Sequence, residues 1–320
     1  MTRVAVLKGG RSLERQVSLA SGARVEDALE RLGHEVTGID VGGDLLARLR
    51  EADGELAFLA LHGPGGEDGT IQELLEALAI PYTGSGVAAS ALCSDKVLAK
   101  HALRDAGLPT PDWVAFGDMT FRDLGGGEAL DTIEERLEFP LVVKPAAQGS
   151  AIGIKFARTR AEVPAAIVAA FSYDPKVLIE RFVQGRELAV SVLSSPGGGA
   201  EALPIVEALP RDRDFYDFTA RYDIGRTHFE CPAALERNVA GRVREVALGA
   251  YELLGCFGFA RVDMILTAEG EPQILELNTI PGLTATSTLP QAADAAGIEF
   301  DELVERTIEL ALARREAPRV

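Results

Sequence analysis

Cysteine is scarce in this chain of 320 residues. The three cysteines, Cys93, Cys231 and Cys256, show no Cys-x-x-Cys spacing, and an odd number without that spacing argues against a disulfide framework and against a zinc site. Long apolar runs are also missing, because no stretch approaches the roughly 18 residues that cross a bilayer, and the N-terminus has no apolar signal core. We therefore expect free thiols, a cytoplasmic location and no membrane partner.

Positive charge is in short supply, with 32 Lys and Arg residues against 49 Asp and Glu residues and a net charge of −17. Phosphate contacts with nucleic acid need clustered basic side chains, so this balance argues against a nucleic acid partner. Lysine is the rarer base, with 6 residues against 26 arginines, which makes each lysine within a motif informative. Hydrophobic residues are plentiful at 47%, which is enough for two or three compact units.

Strand and helix patterns alternate over residues 1–95. VAVL at residues 4–7 predicts a strand, Gly9 and Gly10 predict a tight turn, and Ser12 is the predicted N-cap of an amphipathic helix. EVTGIDV and LAFLAL predict further strands between helices. Such alternation is typical of an open parallel sheet, so we predict an α/β N-terminal part.

The rest of the chain predicts further strands and helices. A helix is predicted at 95–106, and two β-rich runs flank a glycine-containing turn at 141–157, which predicts a hairpin. Strands ELAVSVL, FARVDMIL and PQILELN follow, with helices near 235–254 and 300–315. Residues 211–229 are polar and aperiodic, which indicates a functional or disordered loop.

Two features of the N-terminal part are candidates for ligand binding. Gly9 and Gly10 complete neither a dinucleotide-binding nor a P-loop pattern, yet the helix start after them offers N–H groups to an anion. Glu14 lies in that first turn, where it either binds a ligand or complements the helix dipole. His62 follows a buried strand within LHGPGGEDGTIQ, and it is either a ligand-binding residue or a packed core histidine.

A group of oxygen-bearing side chains lies in the last third of the sequence. ARVDMIL places Asp263 in one strand, and LELNTIPG places Glu276 and Asn278 at alternating positions of another. Residues two apart share a strand face, and carboxylates that converge on buried strands need a cation. Oxygen ligands of this kind suit Mg²⁺. Arg261 shares the face of Asp263, so a structural ion pair between them is the alternative.

A series of motifs together resembles one enzyme family. HGPGGEDGTIQ, IPYTGSGVAASA, SDK, VVKPAAQGSAIG, LIERFVQGRELAV, YDFTARY, RVDMIL and ELNTIPGLTATSTLP occur in the order and spacing of the D-alanine–D-alanine ligases of the ATP-grasp superfamily, over essentially the whole chain. The resemblance implies an N-terminal open parallel-sheet domain at 1–95, followed by a two-domain ATP-grasp of α+β character at 96–185 and 186–320. It also implies a homodimer that joins two D-alanines through an acyl phosphate, for peptidoglycan precursor synthesis.

The resemblance assigns residues to ATP and metal. Lys96 and Lys144 match phosphate-contacting lysines, while Asp263, Glu276 and Asn278 match the ligands of Mg²⁺, two ions of which are expected and for which Mn²⁺ can substitute. Further nucleotide contacts are assigned to Glu180 at the adenine amino group, Glu187 at the ribose, the backbone from Arg181 to Val183 at the adenine edge, and Arg221. From the residues alone, the two glutamates would be surface acids.

Residues that act on the amino acids follow from the same resemblance. Arg261 and the backbone N–H of Gly282 match donors to the tetrahedral oxyanion of the second step. Ser287, with Thr288 beside it, matches the position that binds the second carboxylate, and His62 is assigned to the substrate side.

A lid is implied at 211–229. Glu14 matches the residue that engages the first ammonium, and with Ser150 and Tyr222 it would connect the N-terminal domain to this lid. A closed lid excludes the water that would hydrolyse an acyl phosphate.

The chain departs from the family pattern at several positions near the second substrate. Arg221 replaces a common Lys and keeps its charge but not its shape, and Phe218 stands where Tyr is common. Ala147 and Gln148 replace a charged pair, and Thr288 replaces a common Leu. These departures bear on acceptor choice, so a related ligase that uses D-serine, D-lactate or another amino acid is the alternative. A non-catalytic nucleotide-binding protein and a nicotinamide-dependent oxidoreductase are the alternatives from other classes.

Overall fold

Three β-sheets follow one another along the chain in the computed structural model, which describes residues 1–125, 130–210 and 227–316. The first sheet is parallel, and the two later sheets are antiparallel. This confirms the predicted fold class, with an α/β N-terminal part and α+β character beyond it. Within the described ranges, no helix combines the length and the apolar character that crossing a membrane requires.

The first sheet has the order β2-β1-β3. Its region comprises β1 (Arg3–Lys8), α1 (Arg15–Arg31), β2 (Glu35–Asp40), α2 (Leu45–Ala52), β3 (Leu56–Leu59) and α3 (Thr70–Ala77). Alternating strands and helices bury Val6, Val25 and Leu29 completely, as the apolar periodicity predicts. The predicted N-cap at Ser12 is wrong, because α1 begins only at Arg15 and Glu14 holds the cap position.

The second sheet has the order β4-β7-β5-β6. Its region comprises α4 (Val87–Ser94), α5 (Lys96–Asp105), β4 (Trp113–Gly117), α6 (Asp118–Arg122), α7 (Leu130–Leu137), β5 (Leu141–Pro145), β6 (Lys155–Ala157), α8 (Val163–Ala170) and β7 (Lys176–Arg181). The predicted hairpin is confirmed, since Leu141 pairs with Ala157 in antiparallel register. The predicted helix at 95–106 is confirmed as α5, where the Asp95 carboxylate caps the first turn by accepting from the Val97 and Leu98 amides.

The third sheet has the order β11-β10-β8-β12-β13, with β9 beside β8. Its region comprises β8 (Arg186–Ser194), β9 (Ala200–Ala202), β10 (Val206–Pro210), β11 (Thr227–Glu230), α9 (Arg237–Leu253), β12 (Phe259–Leu266), β13 (Pro272–Asn278), α10 (Thr288–Ala295) and α11 (Phe300–Glu316). The predicted loop at 211–229 overlaps β11, because Thr227 to Glu230 pair with β10. Residues 211–226 of that loop lie outside the described residues.

The last helix returns to the first sheet. Leu303, Val304 and Ile308 of α11 are buried in the same apolar cluster as Val6 and Leu29, so the two ends of the chain share one core. The cysteines are free thiols, as predicted. The domain limits at residues 95 and 185 stay predictions, although each of the three sheets lies within one predicted domain.

Candidate functional site

Most of the residues assigned from the sequence line one cavity between the second and third sheets. Its volume is about 150 Å³. The assigned residues in its wall are Lys96, Lys144, Glu180, Arg181, Val183, Glu187, Arg261, Asp263, Glu276, Gly282, Ser287 and Thr288. A smaller cavity of about 30 Å³ shares Lys96 and Glu276 with it and adds Ser150 and Asn278. The fold therefore brings together residues that lie far apart in the sequence.

Lys96 connects two walls of the larger cavity. It is the first residue of α5, and its Nζ donates to the Gln148 carbonyl at 2.6 Å and lies 3.1 Å from Glu276 Oε2. Its backbone amide also donates to the Ala146 carbonyl at 3.0 Å. The ammonium is therefore held between the β5–β6 connection and strand β13, at a position where it can meet an anion in the cavity.

Glu180 lies between two lysines on the other side. Its carboxylate contacts Lys144 Nζ through Oε1, and Lys100 Nζ lies 3.1 Å from Oε2. Burial opposes the charge of Glu180, yet the two ammonium groups outweigh burial and hold the pKa of its carboxyl below the ordinary value. Burial lowers the pKa of Lys100 in turn. Lys100 is not among the residues assigned from the sequence, although the rarity of lysine and its position one turn after Lys96 are signals that point to it.

The short connection between β7 and β8 joins the second and third sheets beside the cavity. Arg181 ends β7, and Glu187 lies in β8, so the connection through Val183 passes directly from one sheet to the other. Gly185 is required in it, because a Cβ there would lie 2.2 Å from the Leu266 carbonyl oxygen. Short connections of this kind place the backbone at the edge of the cavity.

Asp263 and Glu276 lie directly opposite each other in the register of β12 and β13, and Arg261 lies opposite Asn278. Arg261 donates from Nε and Nη2 to the two oxygens of Asp263 at 2.6 and 2.8 Å, so the predicted alternative of an ion pair is present. The Asn278 side-chain oxygen accepts from the Ile280 amide at 2.9 Å. A register shift beside Asp263 leaves Leu275 without a partner in β12.

These oxygens fit a divalent cation in chemistry. Two carboxylates meet across adjacent strands, and hard oxygen ligands are those that Mg²⁺ prefers. In the described part of the chain, no group of three His, Cys, Asp or Glu side chains is placed to hold a metal ion. A metal here would therefore use the Asn278 amide oxygen and oxygens of the nucleotide as well as the two carboxylates.

Glu14 brings the N-terminal part to the β5–β6 connection. Its side chain is 4% exposed, and its Oε1 accepts a hydrogen bond from the Ser150 hydroxyl. Ser150 has a φ of +52°, and a Cβ on the neighbouring Gly149 would lie 2.7 Å from the Glu14 carboxylate, so the connection closes tightly over this acid. Tyr222 and Arg221, assigned to the same region, lie outside the described residues, as does Phe218.

Gly282 and Ser287 lie side by side. A Cβ on Gly282 would lie 2.6 Å from the Ser287 hydroxyl, which also accepts from the Thr284 amide at 3.1 Å. Thr288 begins α10 and is 6% exposed, and its hydroxyl has no hydrogen-bond partner among the described residues.

His62 does not line the larger cavity, and both of its ring nitrogens have protein partners. Nδ1 lies 3.0 Å from the Ile280 carbonyl and Nε2 lies 3.1 Å from the Ser21 hydroxyl. Ser21 accepts from the Leu283 amide at 3.1 Å, so this pair holds the chain on both sides of Gly282. The arrangement is typical of a packed core histidine, and a substrate role for His62 stays a prediction.

Comparisons with known proteins agree with this picture. Two family models match the chain, described as D-ala D-ala ligase N-terminus over residues 44–85 and D-ala D-ala ligase C-terminus over residues 102–309. The chain is 44% identical over 313 residues to the D-alanine--D-alanine ligase of Syntrophotalea carbinolica, with coverage of 98% of this chain and 97% of the relative. It is 45% identical over 315 residues to that of Desulforudis audaxviator, with coverage of 98% and 99%.

Solved structures give the same result. The D-alanine--D-alanine ligase of Bacillus anthracis superposes with a TM-score of 0.85 at 37% identity over 99% of both chains. A D-alanine--D-alanine ligase from Bacillus anthracis complexed with ATP gives a TM-score of 0.83 at 34% identity over 99% of both chains. A D-Ala:D-Ser ligase from Enterococcus faecalis gives 0.81 at 29% identity over 97% of this chain and 99% of that one.

A cavity lined by lysines and carboxylates between two antiparallel sheets, behind a parallel-sheet N-terminal part, defines an ATP-grasp protein. Within that class, the chain belongs to the D-alanine–D-alanine ligase family.

Proposed function

We propose that this chain joins two molecules of D-alanine to form D-alanyl-D-alanine, with conversion of ATP to ADP and phosphate. The observation that carries the proposal is that one cavity brings together Lys96 of α5, Lys144 of the second sheet, and Arg261, Asp263 and Glu276 of the third sheet. A carboxylate–amine ligase needs cationic groups for phosphates and preorganised donors for an oxyanion, and these residues supply both. The product feeds peptidoglycan precursor synthesis.

In the first step, the carboxylate of one D-alanine attacks the γ-phosphorus of ATP, the bond to the β-phosphate oxygen breaks, and ADP leaves. Phosphoryl transfer depends on positioning and charge neutralisation, which we assign to the ammonium groups of Lys96 and Lys144. Asp263, Glu276 and Asn278 would hold Mg²⁺, or Mn²⁺ in its place. When bound, the metal neutralises phosphate charge.

In the second step, the amine of the other D-alanine attacks the acyl phosphate, and phosphate leaves from the tetrahedral intermediate. The oxyanion would accept from Arg261 and from the Gly282 amide. Support comes from the Arg261–Asp263 contact, which fixes the guanidinium in the cavity, and from the contact of Gly282 with Ser287, the proposed partner of the second carboxylate.

Several roles complete the proposal. Glu14 would bind the first ammonium with support from Ser150, and Tyr222 within a lid at 211–229 would close over both. Glu180 would accept from the adenine amino group, Glu187 from the ribose, and the backbone from Arg181 to Val183 would meet the adenine edge; Arg221 would add a charge at the nucleotide. We further propose a cytoplasmic homodimer.

Product identification tests the proposal. Equal D-alanine, D-serine and D-lactate are supplied with ATP and Mg²⁺, and the products are counted by mass spectrometry. We expect D-alanyl-D-alanine to predominate, whereas predominant D-alanyl-D-lactate would contradict an amine acceptor. Failure to form any of these products while ADP accumulates would contradict the ligase assignment.

Thr288 provides a matched variant for the same experiment, because its buried hydroxyl has no partner in the described ranges. Thr288→Leu should lower any D-alanyl-D-serine by a few fold and leave D-alanyl-D-alanine unchanged, since one group in an acceptor pocket is worth about 1–3 kcal/mol. An unchanged product ratio would show that this hydroxyl does not face the acceptor.

A further inference from the structure

Lys100 has no role in the reaction above, yet it is the most buried of the six lysines, with 1% of its surface exposed. It lies on α5 one turn after Lys96, so the two ammonium groups share a helix face. Lys96 reaches Glu276 at the metal side, whereas Lys100 reaches Glu180 at the proposed adenine side. One helix therefore supplies a cation to Glu276 in one part of the cavity wall and a cation to Glu180 in another.

The Lys100 ammonium has two hydrogen-bond acceptors and one ion-pair partner. Nζ lies 3.1 Å from Glu180 Oε2, 2.5 Å from Thr110 Oγ1 and 3.4 Å from the Pro111 carbonyl oxygen. The two hydrogen bonds and the ion pair hold the Lys100 ammonium against the protein. Lys100 does not line the cavity, so its proposed role is with Glu180 and not with a phosphate.

One of the two counter-ions of Glu180, Lys144, has two competing partners. Lys144 contacts the other carboxylate oxygen, and the same lysine is the proposed ligand of the ATP phosphates. If Lys144 turns to a phosphate, Glu180 still keeps Lys100. Without Lys100, that movement would leave a buried carboxylate unpaired, which is strongly unfavourable.

Lys100 is also connected to strand β13 through the hydroxyl of Thr110. The Thr110 hydroxyl donates to the Ile274 carbonyl at 2.8 Å, and the Ile274 amide donates to the Pro109 carbonyl at 2.8 Å. Ile274 lies in β13 two residues before Glu276. The two ends of the cavity are thus joined through Lys100 and Thr110.

We propose that Lys100 is a positioning residue for the nucleotide, which holds the Glu180 carboxylate toward the adenine amino group when Lys144 engages the phosphates, and which ties that end of the cavity to strand β13. The inference rests on the role proposed above for Glu180. A carboxylate has enough lone pairs to accept from Lys100, Lys144 and an adenine amino group together.

The test compares Lys100→Met with wild type in calorimetric titrations, without amino acids. Two ligands are used in the presence of Mg²⁺: ATP, and a purine ribonucleoside triphosphate that lacks the amino group. We expect Lys100→Met to weaken ATP binding by about tenfold, as loss of a polar contact with a charged group does. The ratio of the affinity for ATP to the affinity for the triphosphate without the amino group should therefore fall. Equal weakening of both nucleotides would overturn the inference, because a purely structural lysine would act on both alike.

Three further variants sharpen the result. Lys100→Arg should recover most of the preference for ATP, whereas Lys8→Met, which removes a lysine–glutamate pair in the N-terminal part, should leave it unchanged. The double variant Lys100→Met/Glu180→Gln should bind ATP no more weakly than Glu180→Gln alone, since Lys100 acts through Glu180. Additive losses would overturn the inference.

Thr110→Val replaces Lys100→Met in the experiment if Lys100→Met does not fold. It removes only the hydroxyl between Lys100 and β13, and we expect ATP affinity to fall by a few fold while the KM for D-alanine at saturating ATP stays constant. Unchanged ATP affinity would contradict the connection. A wild-type protein that prefers ATP but forms no dipeptide would refute the ligase proposal and leave the inference on Lys100 standing.

Discussion

Glu276 is the side chain at which the metal and phosphate roles meet, because it lies opposite Asp263 and 3.1 Å from Lys96 Nζ. Glu276→Gln keeps the shape but removes the charge that a divalent cation requires. We expect ADP formation with D-alanine to fall by about a hundredfold or more, since metal charge stabilisation is worth several kcal/mol.

Glu271→Gln is the matched control for that variant. Glu271 precedes β13 and pairs with Arg242 on the surface, so its loss should leave ADP formation unchanged. Far-ultraviolet circular dichroism checks that both variants fold. Normal turnover of Glu276→Gln with Mg²⁺ would place the metal elsewhere.

The sequence predicted the direction of individual side chains where a single strand decides it. Asp263 and Glu276 face each other because strand periodicity and antiparallel pairing place them there. Lys100 was not predicted because its contact with Glu180 of β7 joins residues 80 positions apart, which no local pattern encodes. Ser12 was misassigned because α1 begins later than the pattern indicates, with Glu14 in the cap position, while the Ser12 hydroxyl accepts from the Glu14 amide and donates to the His62 carbonyl.

The element with the most unusual backbone is the connection between β5 and β6. Ser150 and Ala151 have φ values of +52° and +58°, and Gly153 has +77°, so three residues adopt the left-handed region within four positions. This backbone presents the Ser150 hydroxyl to Glu14. The connection thereby joins the second sheet to the start of α1.

Ser150→Ala should raise the KM for the first D-alanine by about tenfold, because a hydrogen bond to a charged group contributes about 1.5–3 kcal/mol. Initial rates at saturating ATP measure the change. Ser172→Ala, an exposed serine after α8, should leave the KM unchanged. An equal effect of the two variants would remove Ser150 from the amino acid site.

Element types were predictable, whereas their partners were not. The periodic patterns predicted the parallel first sheet, the β5–β6 hairpin and the last helix. The amphipathic pattern of α11 indicates that one face is buried, but it carries no information about which sheet covers that face. The structure places it against the first sheet, through Leu303 and Ile308.

At the scale of the whole molecule, a net charge of −17 coexists with an anion-binding cavity. Local placement resolves the conflict, because Lys96, Lys144 and Arg261 line the cavity, and Lys100 pairs with Glu180 in its wall. A protein of this balance repels free nucleotide at long range, so salt that screens the repulsion should favour the encounter.

Because half of the lysines are buried, a reagent that modifies amines should distinguish the buried lysines from the accessible ones. Lys96, Lys100 and Lys144 are 7%, 1% and 5% exposed, whereas Lys155 is exposed and Lys8 and Lys176 are partly so. An amine-acylating reagent should modify Lys155 and Lys176 first, and peptide mapping should find the three buried lysines modified only after long exposure to the reagent. Added ATP should slow Lys96 and Lys144 further without protecting Lys155. Early acylation of the buried lysines would show that the cavity opens widely in solution. The acylation rates of the six lysines therefore measure the opening of the cavity at individual residues.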